Sequence, residues 1–281
     1  MGLQVPETRI FLESGDPGET ARAIELLGFL DGQVTCPPLM EQAADAILGR
    51  EEARKMDLDQ YVSFYRRNLG QISKLVPQGQ VHFDLYAEPT TSAEEILTQA
   101  RSMVNWIPNG VIAIPIYREG LAAAQQCVKE DLLPINLSMC FSQEQAAGAY
   151  TATTGAMPER VFLTVFIRAL EKNGEAPWEI IERILGMLHE GDGHLGVITA
   201  GIGTIDHFMT ALELAPYAVA APVDVLRQWA DRELYRPQKS SAGPKEKEYR
   251  GIHLTRNWSE YDISHPLTTN LLKTYSRHWS V

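Results

Sequence analysis

The sequence predicts one α/β domain, a closed (β/α)8 TIM barrel with extra helix after the second strand and a helical tail. Three observations carry this. Eight short runs rich in β-branched and apolar residues recur along the 281 residues. Segments with helical periodicity fill most of the gaps between them. The strand candidates are near-continuous apolar runs, which a parallel sheet covered by helices requires. Such barrels take about 250 residues as a single unit. An open doubly wound sheet shares the alternation, and periodicity alone does not separate the two.

The expected strands are residues 9–12, 32–36, 81–86, 110–116, 134–140, 160–166, 195–202 and 217–221. The first helix, 20–27, has Glu19 at its start and Gly28 as its stop. Residues 40–74 hold extra helix between strands two and three, including 58–69. Ser92, with Glu95 three residues on, is a capping box ahead of a helix over 93–106. Helices over 119–129, 143–153, 177–189, 204–214 and 223–234 follow strands four to eight, with Pro177 where a first-turn proline is favoured. Residues 237–251 are polar and rich in Lys, Ser, Gly and Pro, a connector. It leads to a last helix over 267–279. On this reading residues 1–236 form the barrel, and 237–281 form the connector and a C-terminal helix packed on it.

Composition narrows the function classes. No apolar run approaches the ~20 residues that span a bilayer, so no membrane partner is expected. The first residues lack a basic region followed by an apolar core, so no signal peptide is expected. Cys36, Cys127 and Cys140 have no metal or CxxC spacing, and their odd count points to reduced thiols in a cytoplasm. The net charge of −11 argues against a general nucleic-acid binder, though not against a local basic pocket. The run from His189 to His194 (His-Glu-Gly-Asp-Gly-His) invites a metal reading. It falls before strand seven, on the face of a barrel that serves stability, and a polar turn is the expectation. No metal or other cofactor is expected.

Five segments carry a family resemblance. Val111-Ile112-Ala113-Ile114-Pro115-Ile116-Tyr117-Arg118-Glu119-Gly120-Leu121 resembles V-V-K-I-P-x-T-x-E-G-L. Ile10-Phe11-Leu12-Glu13-Ser14-Gly15 is similar to an opening F-L-D-T-A, and Leu30 to Leu39 to L-D-G-V-T-T-N-P-T-L. Asn136 to Ala146 resembles N-V-T-L-x-F-S-x-x-Q-A. His265-Pro266-Leu267-Thr268 and Arg277-His278-Trp279 resemble a C-terminal helix. Taken in chain order, the five segments resemble the transaldolase and fructose-6-phosphate aldolase family of class I aldolase barrels.

That resemblance implies aldol transfer or cleavage on sugar phosphates, as in pentose phosphate metabolism, by a homo-oligomer acting on a small sugar or carbonyl substrate. It implies a lysine in strand four that forms a Schiff base, and Ala113 occupies that position. The family's acid/base carboxyl falls on Glu13, its strand-three water-holding group on Asp84, and the hydroxyl partner on Ser138. Thr35 matches a strand-two threonine, and Cys36 replaces the asparagine beside it. Asn136 and Phe166 fall on the substrate side.

The phosphate side also departs. The strand-six arginine position is Ala169, with Arg168 one place earlier, which on a strand faces the other way. The strand-seven serine and arginine positions are Gly201 and Gly203. A Gly-rich turn before a helix either offers N–H groups to an anion or permits close backbone packing. Lys172, in the loop after strand six, is a second place for an amine. Three readings stay open: an engineered loss at position 113, a natural barrel doing lysine-independent carbonyl or proton-transfer chemistry, and a non-catalytic binding or structural descendant. The mark of the last is a mouth filled by side chains such as Tyr86, Tyr117 and Phe166.

Overall fold

Eight parallel strands close into a barrel in sequence order in the computed structural model, which describes residues 7–237 and 252–279. The strands are β1 (Arg9–Glu13), β2 (Gly32–Thr35), β3 (Gln80–Asp84), β4 (Gly110–Pro115), β5 (Ile135–Cys140), β6 (Val161–Phe166), β7 (Leu195–Ala200) and β8 (Ala218–Ala221). Closure is made by β1 against β8, with Arg9 opposite Ala218 and Leu12 opposite Ala221.

Helices cover the outside. α1 (Pro17–Leu27) follows β1; α2 (Pro37–Leu48), α3 (Arg50–Ala53) and α4 (Leu58–Leu75) follow β2; α5 (Ala93–Met103) follows β3. Then come α6 (Arg118–Gln126), α7 (Gln143–Ala152), α8 (Ile167–Lys172), α9 (Pro177–His189), α10 (Ile205–Leu214), α11 (Val223–Ala230) and α12 (Pro266–Arg277). The capping box at Ser92 and Glu95 forms as expected, and a second one, Asp57 with Gln60, starts α4.

Both faces of each strand are buried, which is why the strands read as apolar runs. Successive side chains alternate between faces. Phe11, Val34, Val111, Phe162, Ile198, Ala218 and Ala220 share one interior cluster. Ile10, Leu12, Ile112, Ile114, Leu137 and Leu163 join the helices in the outer one. His82 lies inside the barrel, its ring 5.3 Å from Phe11 and 5.0 Å from Phe162. Burial pushes its pKa down to about 3, so it stays neutral.

Three local details differ from expectation. β1 extends to Glu13, and β2 stops at Thr35 so that Cys36 becomes the N-cap of α2. The stretch after β6 is not a loop: Phe166 ends the strand and caps α8 directly. Lys172 is therefore the last residue of a helix, exposed to solvent. Of the polar connector only Pro237 is described; 238–251 lie outside the described residues. No helix among the described residues is long and apolar enough to cross a membrane.

The C-terminal helix is fixed across the strands' C-terminal ends. Thr268 Oγ1 donates to the Met139 carbonyl at 2.9 Å and accepts from Gln145 Nε2 at 2.8 Å. Met139 sits where β5 shifts register against β6, with φ of 62°. At the other end, the Trp279 ring meets Tyr61, Tyr65 and Tyr86 at centroid distances of 5.6, 5.4 and 6.4 Å. Thr268, Leu272, Tyr275 and Trp279 are spaced four, three and four residues apart. The first three therefore lie along one face of the helix, and Trp279 follows just past its end.

Candidate active site

The carboxyl ends of β1, β3, β4 and β5 gather most of the expected residues. Asp84 pairs in register with Ala113, and Ala113 with Asn136, so the three form a row across adjacent strands. Ser138 lies one pleat further on, opposite Pro115. Asp84, Ala113, Asn136 and Ser138 are all buried. Asn136 Oδ1 accepts from Thr164 Oγ1 at 2.9 Å, so β6 orients that amide; Thr164 had no role in the sequence reading. Ser138 Oγ is buried without a hydrogen-bond partner among the described residues, as a hydroxyl kept for a ligand would be.

Thr35 does not join this row. Val34 lies in the interior cluster, and alternation along β2 sets Thr35 on the opposite face. Cys36 is back on the inner side, and its thiol lies close to the hydroxyl of Tyr275 from α12. Burial first, and then the charge of Asp84, push that thiol far above its ordinary pKa, so it is no nucleophile at neutral pH. Cys140 is buried as well, with its thiol on the Ser142 carbonyl at 3.6 Å, and burial pushes it up to about 12.

Two carboxyls face this space in different settings. Asp84 is 7% exposed, and burial raises its pKa to about 8. Glu13 is half-buried at the end of β1; its Oε2 accepts the Gly201 N–H at 3.0 Å. Burial raises its pKa to about 7, held from going higher by that hydrogen bond and by the Arg168 guanidinium. At neutral pH the pair therefore straddles the working range, one carboxyl neutral and one half-ionised.

The glycines at the end of β7 divide the two roles expected of them. Gly201, at φ of 68°, gives its N–H to an anion, but the anion is Glu13. Gly203 provides room: a Cβ there would lie 2.9 Å from Arg168 Cδ. Arg168 reaches this place because it stands on α8 and not on a strand, so the expected reversal of facing does not apply. Its stem lies across Gly203, and its charge acts on Glu13.

The mouth is covered by Tyr275, which the sequence reading missed. Its phenol lies close to Cys36, Asp84 and Glu13; burial first, and then the acidic neighbours, keep it protonated. Its signal in the sequence is the face shared by Thr268, Leu272 and Tyr275. Two of the aromatic residues expected as fillers have other duties: Tyr86 packs on Trp279, and the Tyr117 hydroxyl donates to the Thr91 carbonyl at 2.8 Å. Phe166 does sit against the interior cluster at the end of β6, its ring 6.4 Å from Phe141. The histidine-rich turn lies before β7, at the barrel's other end. There His194 Nδ1 is paired with Asp192, its Nε2 is 3.0 Å from Thr153 Oγ1, and its ring packs on Tyr150.

Comparison with known proteins converges on one group. The family described as transaldolase/fructose-6-phosphate aldolase matches residues 10–269. A probable transaldolase of Dehalococcoides mccartyi is 28% identical over 226 residues, which is 80% of this chain and 92% of that protein. A probable transaldolase of Streptococcus equi subsp. zooepidemicus is 24% identical over 272 residues, 97% and 98% of the two chains. One from Anaeromyxobacter is 27% identical over 226 residues, 80% and 91%.

Proposed function

The chain belongs to the transaldolase/fructose-6-phosphate aldolase family, and from that premise we propose that it enolises a small sugar-like hydroxyketone without an amine. Ala113 stands in this reading where the family carries its Schiff-base lysine. A methyl group forms no imine, so the carbonyl must be activated by hydrogen bonding. The observation that carries the reading is the Asp84–Ala113 register pair: Asp84 is buried beside the alanine, with no ion-pair partner among the described residues. A carboxyl kept neutral in this way is a hydrogen-bond donor.

Glu13 supplies the base. Its carboxylate takes the proton from the carbon next to the carbonyl. The C–H electron pair becomes the new C=C bond, and the carbonyl π pair moves onto oxygen, where Asp84 donates. Return of a proton to carbon regenerates the ketone, and addition of the enol to an aldehyde is the family's carbon–carbon step. Ser138 and Asn136 line the same wall and suit the substrate's hydroxyls.

The substrate end near β7 is uncharged in this account. Glu13 already holds the Gly201 N–H and the field of Arg168, which together would otherwise receive a phosphate. A small unphosphorylated ketose fits best.

Exchange of the carbon-bound hydrogens of dihydroxyacetone with D2O, followed by NMR, tests the reading. Glu13→Gln should lower the exchange rate by about 10²–10⁴. Exchange indifferent to Glu13→Gln would refute it.

A further inference from the structure

We propose that Tyr275, carried over the barrel mouth by α12, donates a hydrogen bond to the substrate's carbonyl oxygen and shares that oxygen with Asp84. The inference rests on the enolisation reading above and assigns it a further residue, from outside the strands.

The placement follows from helix geometry. Thr268 is bonded to the Met139 carbonyl at the end of β5, and Trp279 is seated among Tyr61, Tyr65 and Tyr86 on the far side. At about 1.5 Å per residue the eleven steps from Thr268 to Trp279 span about 16 Å, enough to cross the mouth, and Tyr275 falls about 10 Å along. It lies on the same face as Thr268, so its side chain turns toward the strand ends, partly exposed to solvent. The neighbours it finds there are Cys36, Asp84 and Glu13.

The hydroxyl has no packing purpose that a phenyl ring would not serve. A hydroxyl withdrawn from water is costly unless it is bonded, and the nearest group it finds is the Cys36 thiol, at best a weak partner. A carbonyl oxygen entering between α12 and the strands is a better acceptor. The phenol then turns from the thiol to the carbonyl oxygen without any covalent change. Burial beside two carboxyls and a thiol keeps the phenol protonated, so it serves as donor over the whole range in which Glu13 titrates. Two donors, Tyr275 and Asp84, and one base, Glu13, make a complete set for stabilising an enolate.

The experiment uses the full chain with 13C-carbonyl dihydroxyacetone. Infrared difference spectra read the bound C=O stretch, and D2O exchange reads turnover. The wild type should show the stretch displaced below that of the free ketone. Tyr275→Phe should move it back toward the free value and lower kcat for exchange by about 10²–10³, with KM changed far less. Cys36→Ala, which removes only the competing partner, should keep or enlarge the displacement. Displacement lost in Tyr275→Phe while the wild type exchanges no deuterium would retain the donor and refute Glu13 as base. Exchange and stretch unchanged in Tyr275→Phe would overturn the donor and leave the base standing. A bound stretch equal to the free value in the wild type overturns it too. So does equal loss in Cys36→Ala and Tyr275→Phe, which would mark a packing effect. Should Tyr275→Phe fail to fold, Cys36→Ala decides alone: a displacement lost there overturns the donor.

Discussion

The Glu13 side chain, at the end of β1, accepts a hydrogen bond from the backbone amide of Gly201, just past the end of β7, at 3.0 Å. One contact thus ties the first strand to the seventh across β8. It also places an internal carboxylate in a backbone turn suited to holding an anion. Arg168, lying over Gly203, completes the arrangement.

Removing that cation should retune the base. Arg168 lowers the pKa of Glu13, so Arg168→Gln should raise the acid limb of the exchange profile by about one unit. Neutral exchange should fall as a result, while the rate well above the new limb is retained. NMR exchange rates across pH measure this. A limb that stays in place would remove Arg168 from the site.

The pH profile itself should be a bell. Glu13 must lose its proton to act, near 7, and Asp84 must keep its own, up to about 8. The two groups share one site, so the limbs belong to the pair. Exchange should peak between them and decline on both sides. A profile that keeps rising above pH 9 would mean that no neutral carboxyl takes part.

Stability should fall over much the same range. A carboxyl with a folded pKa above its unfolded value binds more protons when folded, so stability is greatest below the unfolded value and is lost as pH rises through the folded one. For Asp84 that window runs from 3.8 to about 8, and for Glu13 from 4.5 to about 7. Asp84→Asn should therefore melt near the wild type at pH 4. At pH 9 it should melt higher by at least about 3 °C, since one pKa unit is worth about 1.4 kcal/mol. Thermal scans at the two pH values check this.

Much of the barrel was legible in the sequence because burial on both strand faces leaves eight apolar runs, and no other feature of the chain competes with that signal. The row Asp84, Ala113, Asn136 and Ser138 was legible because strand ends follow once the strands are placed. Thr35 was misplaced by one step of strand alternation. The facing of Arg168 was not legible because it lies two residues past the expected strand, where strand alternation no longer applies and the α8 turn re-aims it. Tyr275 was invisible for a different reason. Its role depends on where a tail helix docks, and that is fixed by Thr268 on Met139 and by the seat of Trp279, both long-range contacts.

Restoring an amine should not restore a phosphosugar enzyme. Ala113→Lys would set an ammonium beside Asp84, but Cys36 still stands where the family has an amide, and Gly203 stands at the strand-seven arginine position. Transfer from ketose donors should be absent, or should favour phosphorylated over unphosphorylated donors by less than tenfold, a difference under about 1.4 kcal/mol. Strong phosphate dependence would point instead to an engineered loss in an ordinary family member.

The most direct measurement is dihydroxyacetone in D2O with the unaltered chain, in parallel with borohydride treatment and mass spectrometry. The account predicts solvent deuterium in the ketone and no covalent adduct. A reduced adduct on any lysine, Lys172 included, or a ketone that stays free of deuterium, would contradict it.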